Sequence, residues 1–337
     1  MKTANIGDML GLPNAEKWLT QVEEALTAGL CSTYGPLHEP MQRVATNCGK
    51  RIRPLLVLAV ANVMSEGTGL DSSASRVLDA AVCVELVHVA TLVHDDLIDC
   101  SVSRRGVPTI NATEGPRRAV LVGDFILTQA VRLATFGGQA FVDTLTGAVL
   151  DVVNGQSMEI ADLCNPLRRE RDALDSIAGK TARLTSAACE LGGHAVGAPA
   201  GTVAALGGFG HAFGMSFQLV DDLLDLLSTD QLLGKPTGLD LRAGVYTVPV
   251  IRARDRLRSQ RFDRLLEASP WDPAAAEEVM TLVRSSGAIE DTLRLVHDYA
   301  QRAATQLEEA TGGRPEAKQL ADFPGHYVKW ALDNFSA

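Results

Sequence analysis

Aromatic side chains are scarce in this 337-residue chain: nine Phe, four Tyr and three Trp, 5% of the total. Few β-branched alternations accompany them, so sheet-rich folds are disfavoured from the outset. Positive charge is also in short supply, with 31 Lys and Arg against 41 Asp and Glu and a net charge of −10. That balance excludes a nucleic-acid binder. Any anionic ligand must then be held by a local basic cluster or by metal. Six cysteines (Cys31, Cys48, Cys83, Cys100, Cys164, Cys189) are scattered with no Cys-x-x-Cys pair. A disulfide framework and a zinc site are thereby excluded, and the cysteines read as small core residues of a reducing compartment. The opening MKTANIGDMLGLP lacks the charged-then-apolar pattern of a signal peptide, so a cytoplasmic protein is expected. Residues 201–220 hold no Asp, Glu, Lys or Arg and are long enough to span a bilayer. They contain His211 and five glycines and run straight into three aspartates, which favours a buried helix. No linker interrupts the chain, so one domain over 1–337 is expected despite a length above the usual single-core size.

What is present is acidic and repeated. Residues 85–99, ELVHVATLVHDDLID, form an apolar helical run ending in Asp95, Asp96 and Asp99. A near copy, FQLVDDLLD, ends at residue 225 and places Asp221, Asp222 and Asp225 at the same i, i+1, i+4 spacing. On a helix the i and i+4 carboxylates lie about 40° apart on one face. One such triplet could be a solvated helix end. Two copies, each on a run too apolar for a solvated face, point to a shared cation, because clustered carboxylates cannot stay ionised alone in a partly buried site. A hard divalent ion with oxygen ligands, Mg²⁺ above all, suits them and commonly shares its shell with phosphates. The alternating oxygens and central glycine of a calcium loop are absent from both copies.

Anion-binding candidates surround these motifs. GKRIRP, residues 49–54, places three cations within four residues at a helix start, where backbone amides add to the side chains. Arg104 and Arg105 follow the first triplet, and paired guanidinium groups can either neutralise carboxylates or fork onto phosphate oxygens. His88 lies seven positions before Asp95, about 10 Å along the helix and within roughly 20° of its face. His94 reads as an ordinary core histidine. Gly179-Lys180-Thr181 interrupts a helical pattern at 169–196, where a kink could expose carbonyl groups. Phe217 and Gln218 face the same way as Asp221. Further helices are expected near 15–30, 74–99, 116–135, 141–164, 251–259, 273–286, 289–310 and 314–334, with VYTVPVI the one short strand-like stretch. Ten or more helices make an all-α fold.

In order and spacing, GKRIRP, H-x6-DDLID-x4-RRG, GKT, FQLVDDLLD and GKP together resemble the trans-polyprenyl diphosphate synthases, over roughly residues 48–249. The resemblance implies an isoprenoid-synthase-type helical bundle around a central cavity, in a homodimer. It implies head-to-tail condensation of isopentenyl diphosphate with geranyl, farnesyl or geranylgeranyl diphosphate, with three Mg²⁺ ions when the allylic diphosphate is bound. By the same resemblance Lys50, Arg53, His88 and Arg105 hold the isopentenyl diphosphate. Asp95, Asp99 and Asp221 ligate Mg²⁺, with Asp96, Asp222 and Asp225 completing the cluster. Arg104, Lys180 and Lys235 meet the allylic diphosphate, while Lys180, Thr181 and Gln218 face the developing cation beside Phe217. Small residues at Ala90 and Thr91, where short-chain relatives tend to carry an aromatic, imply a product of C30 or longer that leaves through transient membrane contact. Val245 stands where the family often has lysine, which removes one cation from the allylic side. The alternatives are a farnesyl or geranylgeranyl diphosphate synthase, a class I terpene cyclase, whose second site is usually not all aspartate, and a non-catalytic synthase subunit, which would tend to lack the aspartate motifs.

Overall fold

Apolar residues recur at helical spacing from the start of the chain. In α2 (Ala15–Leu30), Ala15, Leu19, Val22, Leu26 and Leu30 are buried, one stripe along one face. A short helix, α1 (Thr3–Met9), precedes it, one element earlier than the sequence pattern suggests. The computed structural model describes residues 3–30, 35–46, 49–65, 74–228 and 237–335. It is all-α, as expected. The strand pairing among the described residues is one two-residue hairpin, Ser103–Arg104 with Val107–Pro108.

The described chain divides into two compact units. The first comprises residues 1–149, 187–207 and 310–320. It contains α1, α2, α3 (Gly35–Thr46), α4 (Ile52–Met64), α5 (Ala74–Ile98), α6 (Ile110–Glu114) and α7 (Pro116–Gly137). Residues 54–61 of α4 are buried on every side, and α5 is nearly so from Ala80 to Ala90. A helix apolar all round belongs in a core, and α5 lies between α4 and α7.

The second unit comprises residues 150–186, 208–309 and 321–337. It takes the C-terminal half of α8 (Gln139–Ala161), then α9 (Glu170–Ile177), a π-helical turn at Ala178–Ala182 and the start of α10 (Arg183–Ala195). The expected kink at Gly179 is this π turn. Most of α11 (Ala200–Leu227) follows, and then a run of helices to residue 335. VYTVPVI is not a strand: Pro249 sits in the first turn of a helix, Val248–Leu257, where its missing N–H costs nothing. Gln260–Ala268 is a helix that the sequence pattern misses. By length and composition α5, α7 and α11 could each cross a membrane. In α11 Leu206, Phe209, Phe213 and Leu219 are buried, as expected for an internal helix.

The π turn is pressed against α8. A Cβ on Gly179 would lie 2.7 Å from the Asp151 carbonyl oxygen and 3.0 Å from the Gly155 Cα. Both are backbone atoms that cannot swing aside. Alanine in a helix gains roughly 1 kcal/mol over glycine, whereas overpacking costs about 1–3 kcal/mol. Gly179→Ala is therefore expected to lower the denaturant midpoint. Gly201→Ala, in α11 with open space around its Cβ, should be neutral or stabilising. Urea titration of both variants checks the two signs.

Candidate active site

Two glutamates draw an arginine into the first unit, and the basic cluster forms around it. The Arg51 guanidinium donates from Nε and NH2 to Glu23 (2.6 and 3.0 Å) and from NH1 to Glu85 (2.6 Å). Burial works against its charge, but the two carboxylates outweigh that and raise its pKa. Arg53, two residues on, differs: its Nε is buried with no hydrogen-bond partner. Burial pulls its pKa down and Glu85 only partly restores it. Loss of solvent holds half-buried His88 well below the ordinary histidine range, and then Arg53, Arg105, Arg51 and Arg104 add repulsion. A neutral imidazole among four guanidinium groups, with an unmatched donor beside it, is the electrostatic signature of a site for an anion.

Arg105 reaches this cluster through the hairpin. Arg105 (φ 52°) and Gly106 (φ 77°) both have positive φ, the pattern of a type I′ turn. The Arg105 guanidinium lies on the backbone of Gly49, where a Cβ would come within 2.7 Å of its NH1 and NH2. The sequence elements GKRIRP, His88 and RRG, separated along the chain, thus meet in one place.

The first aspartate motif ends α5. The Asp99 N–H donates to the Asp95 carbonyl (2.8 Å), so the i, i+4 relation holds to the last residue. Asp99 is exposed and Asp95 half-buried, while Asp96 is buried and accepts from Arg104 Nε at 2.8 Å. Burial raises the Asp96 pKa, and Arg104 and then Arg105 oppose it. Arg104 therefore rests on a carboxylate of the motif.

The second motif, in the other unit, repeats the division of labour. Asp221 is exposed; Asp222 and Asp225 are buried. Thr181 Oγ1 donates to Gln218 Oε1 (2.9 Å) and Gln218 Nε2 donates to Asp222 Oδ1 (2.9 Å), tying the π turn to the motif. Burial, then repulsion from Asp221, Glu159 and Asp225, pushes Asp222 up to about 7 against the bond from Gln218. Such a cluster calls for a cation. The Asp225 oxygens accept from the Leu239 and Asp240 amides at 3.3 Å. Lys180 Nζ pairs with Glu159 Oε1 at 2.6 Å, a partner the sequence reading did not name. Phe217 stacks on Tyr327 with centroids 5.3 Å apart. Tyr327 too was not anticipated, since its helix (Lys318–Phe335) bears no motif. Among the described residues no three acidic, His or Cys side chains close around one metal-sized point. Mg²⁺ needs no such cage, since it keeps waters and takes substrate phosphates as ligands. The donor set therefore fits that ion.

Ala90 is buried on α5, and Thr91 Oγ1 donates to the His88 carbonyl (2.8 Å). Val245 is half-buried, its amide bonded to the Asp240 carbonyl (2.8 Å). His94 is partly exposed and its Nε2 lies 3.6 Å from Asp124 Oδ1, a more open setting than a core histidine. Lys235 and the rest of GKP lie outside the described residues.

Helices alone, two aspartate motifs and a cluster of cations around a neutral histidine delimit the class of protein. Comparison with known proteins narrows the class. Residues 35–284 match the polyprenyl synthetase family, and the chain belongs to it. It is 37% identical over 293 residues to heptaprenyl diphosphate synthase component 2 of Geobacillus stearothermophilus, covering 86% of this chain and 89% of that one. A decaprenyl diphosphate synthase from Rhodobacter capsulatus superimposes with a TM-score of 0.85 at 31% identity, over 96% of this chain and 99% of the other. A polyprenyl synthase from Caulobacter crescentus, in complex with calcium and isoprenyl diphosphate, gives 0.84 at 30% identity, over 94% and 97%. The family is in general Mg²⁺-dependent.

His88 generates a pH prediction. A histidine held neutral has its folded pKa below the unfolded value of 6.5. Below that pH the unfolded chain takes up a proton that the folded chain refuses, so stability present at neutral pH is lost as pH falls. His88→Gln should lose less thermal stability than the parent between about pH 7.5 and about pH 5.5. Melting curves at the two pH values, without substrate, make the comparison.

Proposed function

We propose that this chain is a trans-prenyltransferase that condenses isopentenyl diphosphate head to tail with an allylic diphosphate, giving an all-trans polyprenyl diphosphate of C30 or longer. The observation that carries the reading is the unmatched Arg53 Nε beside neutral His88, among arginines and one turn or two from an aspartate motif. Lys50, Arg53, His88 and Arg105 hold the diphosphate of the isopentenyl substrate. Arg104, Lys180 and Lys235 bind the allylic diphosphate, Arg104 and Lys180 being oriented by Asp96 and Glu159. Asp95, Asp99 and Asp221, with Asp96, Asp222 and Asp225, hold Mg²⁺, three ions in the full complex. When bound, the metal stabilises negative charge on the departing diphosphate oxygens.

The remaining chemistry is positioning. The allylic C–O bond breaks with its electron pair going to the diphosphate, leaving an allylic cation. In the π turn the Arg183 N–H reaches back five residues to the Ala178 carbonyl, which shifts the carbonyl groups near Lys180 and Thr181 from regular α-helical register. Those dipoles and Gln218 stabilise the cation without attacking it. The isopentenyl double bond supplies the electrons of the new C–C bond, and the proton then lost goes to the released diphosphate. No protein base and no covalent intermediate are required.

Similarity to heptaprenyl and decaprenyl synthases and the small Ala90 and Thr91 support the long product. Exposed apolar residues on α7, Leu121 and Phe136 among them, support a homodimer. A second reading of assembly is favoured by the relative's designation as component 2: a different partner subunit would be needed. The protein is proposed to act in the cytoplasm and to touch membranes transiently during product release.

Purified protein incubated with Mg²⁺, farnesyl diphosphate and radiolabelled isopentenyl diphosphate should give a ladder ending at C30 or longer on reverse-phase chromatography. A ladder stopping at C15–C20 would keep the reaction and sink the chain length. No incorporation from any primer, restored by a second subunit, would favour the two-component assembly. Asp95→Ala and Asp221→Ala should each lower turnover by roughly 10²–10³-fold, and chelation of the metal should abolish it. Ala90→Phe should shorten the dominant product; an unchanged ladder would place the length determinant elsewhere.

A further inference from the structure

Arg51 sits inside GKRIRP yet is turned away from the role of its neighbours. It is 6% exposed, at the N-terminal boundary of α4, with φ 50° and ψ 37°. An L-residue with a long side chain reaches that left-handed conformation only where its surroundings impose it. Here the imposition is visible. Glu23 on α2 takes two of its guanidinium nitrogens and Glu85 on α5 takes the third. Glu85 is itself 3% exposed and lies one helical turn before His88. The clamp therefore joins the start of α4 to both α2 and α5 just where the anion site begins.

The consequence falls on the flanking residues. Lys50 precedes the left-handed residue and Arg53 follows it by two. Reversing the φ of residue 51 would redirect the chain on both sides. Arg53 is left with a buried Nε lacking an acceptor, while Arg51 has all three of its nitrogens committed to carboxylates. Gly49, against which the Arg105 guanidinium rests, belongs to the same turn. We infer that Arg51 is a positioning residue for the isopentenyl diphosphate site: clamped by Glu23 and Glu85, it holds the left-handed turn that aims Lys50 and Arg53 at the diphosphate. The inference rests on the anion-site reading proposed above.

Its test is binding of isopentenyl diphosphate in the absence of an allylic partner, when no reaction occurs, followed by equilibrium dialysis. Glu23 is partly exposed, so Glu23→Gln is the mild variant. It should raise the Kd several-fold, and Arg51→Gln should raise it by roughly tenfold or more, since a buried charge pair is broken. Arg51→Gly removes backbone strain together with the clamp and should bind as weakly as Arg51→Gln. In steady state the KM for isopentenyl diphosphate should rise, with kcat and the KM for farnesyl diphosphate changing by less than about twofold. The sign of Glu23→Gln is decisive. Were Arg51 itself a phosphate ligand, freeing it from a competing carboxylate would tighten binding, and that result overturns the inference. Unchanged affinity in Arg51→Gly, with a parent-like melting temperature, would overturn it equally, since the turn would then need no clamp. Failure of the parent protein to bind isopentenyl diphosphate would overturn the site reading itself and this inference with it.

Discussion

A guanidinium group below the protein surface must find carboxylates, and Arg51 finds two. Glu23 and Glu85 absorb its charge so completely that it is spent as structure. Among its neighbours, the Arg53 Nε has no hydrogen-bond partner. His88 stays neutral because burial strips its solvent and four guanidinium groups then add repulsion. Positive charge is thus concentrated locally in a chain whose overall charge is negative.

The second unit shows the mirror image of that imbalance. Asp222 is buried among Asp221, Glu159 and Asp225, and repulsion added to desolvation makes it reluctant to ionise. Its neighbours reduce the strain in steps: Gln218 donates to Asp222, and Thr181 donates to Gln218. Through these two bonds the π turn and the aspartate motif are registered against each other, and the contact of Gly155 with Gly179 holds that turn tightly against α8.

The helical spacing of apolar residues made most elements legible in advance, α2, α5 and α7 nearly to the residue. It failed at α1, α3 and α6, at Leu239–Arg242 and at Gln260–Ala268, stretches whose neighbouring breaks leave few turns to read. The aspartate motifs were equally legible, because i, i+4 carboxylates on an apolar helix carry their own geometry. Glu159 was not: it lies 21 residues before Lys180, and nothing in that spacing predicts an ion pair. Tyr327 was hidden likewise, its stacking on Phe217 joining residues 110 positions apart.

Sequence alone determined which groups were available and on which helical faces they lie: six aspartates in two triplets, a basic turn, a histidine two turns below a carboxylate. These depend on local periodicity, which covalent geometry dictates. Tertiary structure decided how each group is spent. It turned Arg51 inward and left the Arg53 Nε unmatched, set Asp225 on the Leu239 and Asp240 amides, and placed Arg105 on Gly49. Those choices depend on desolvation and on partners brought together from distant parts of the chain, and neither can be read from spacing along a single strand of residues.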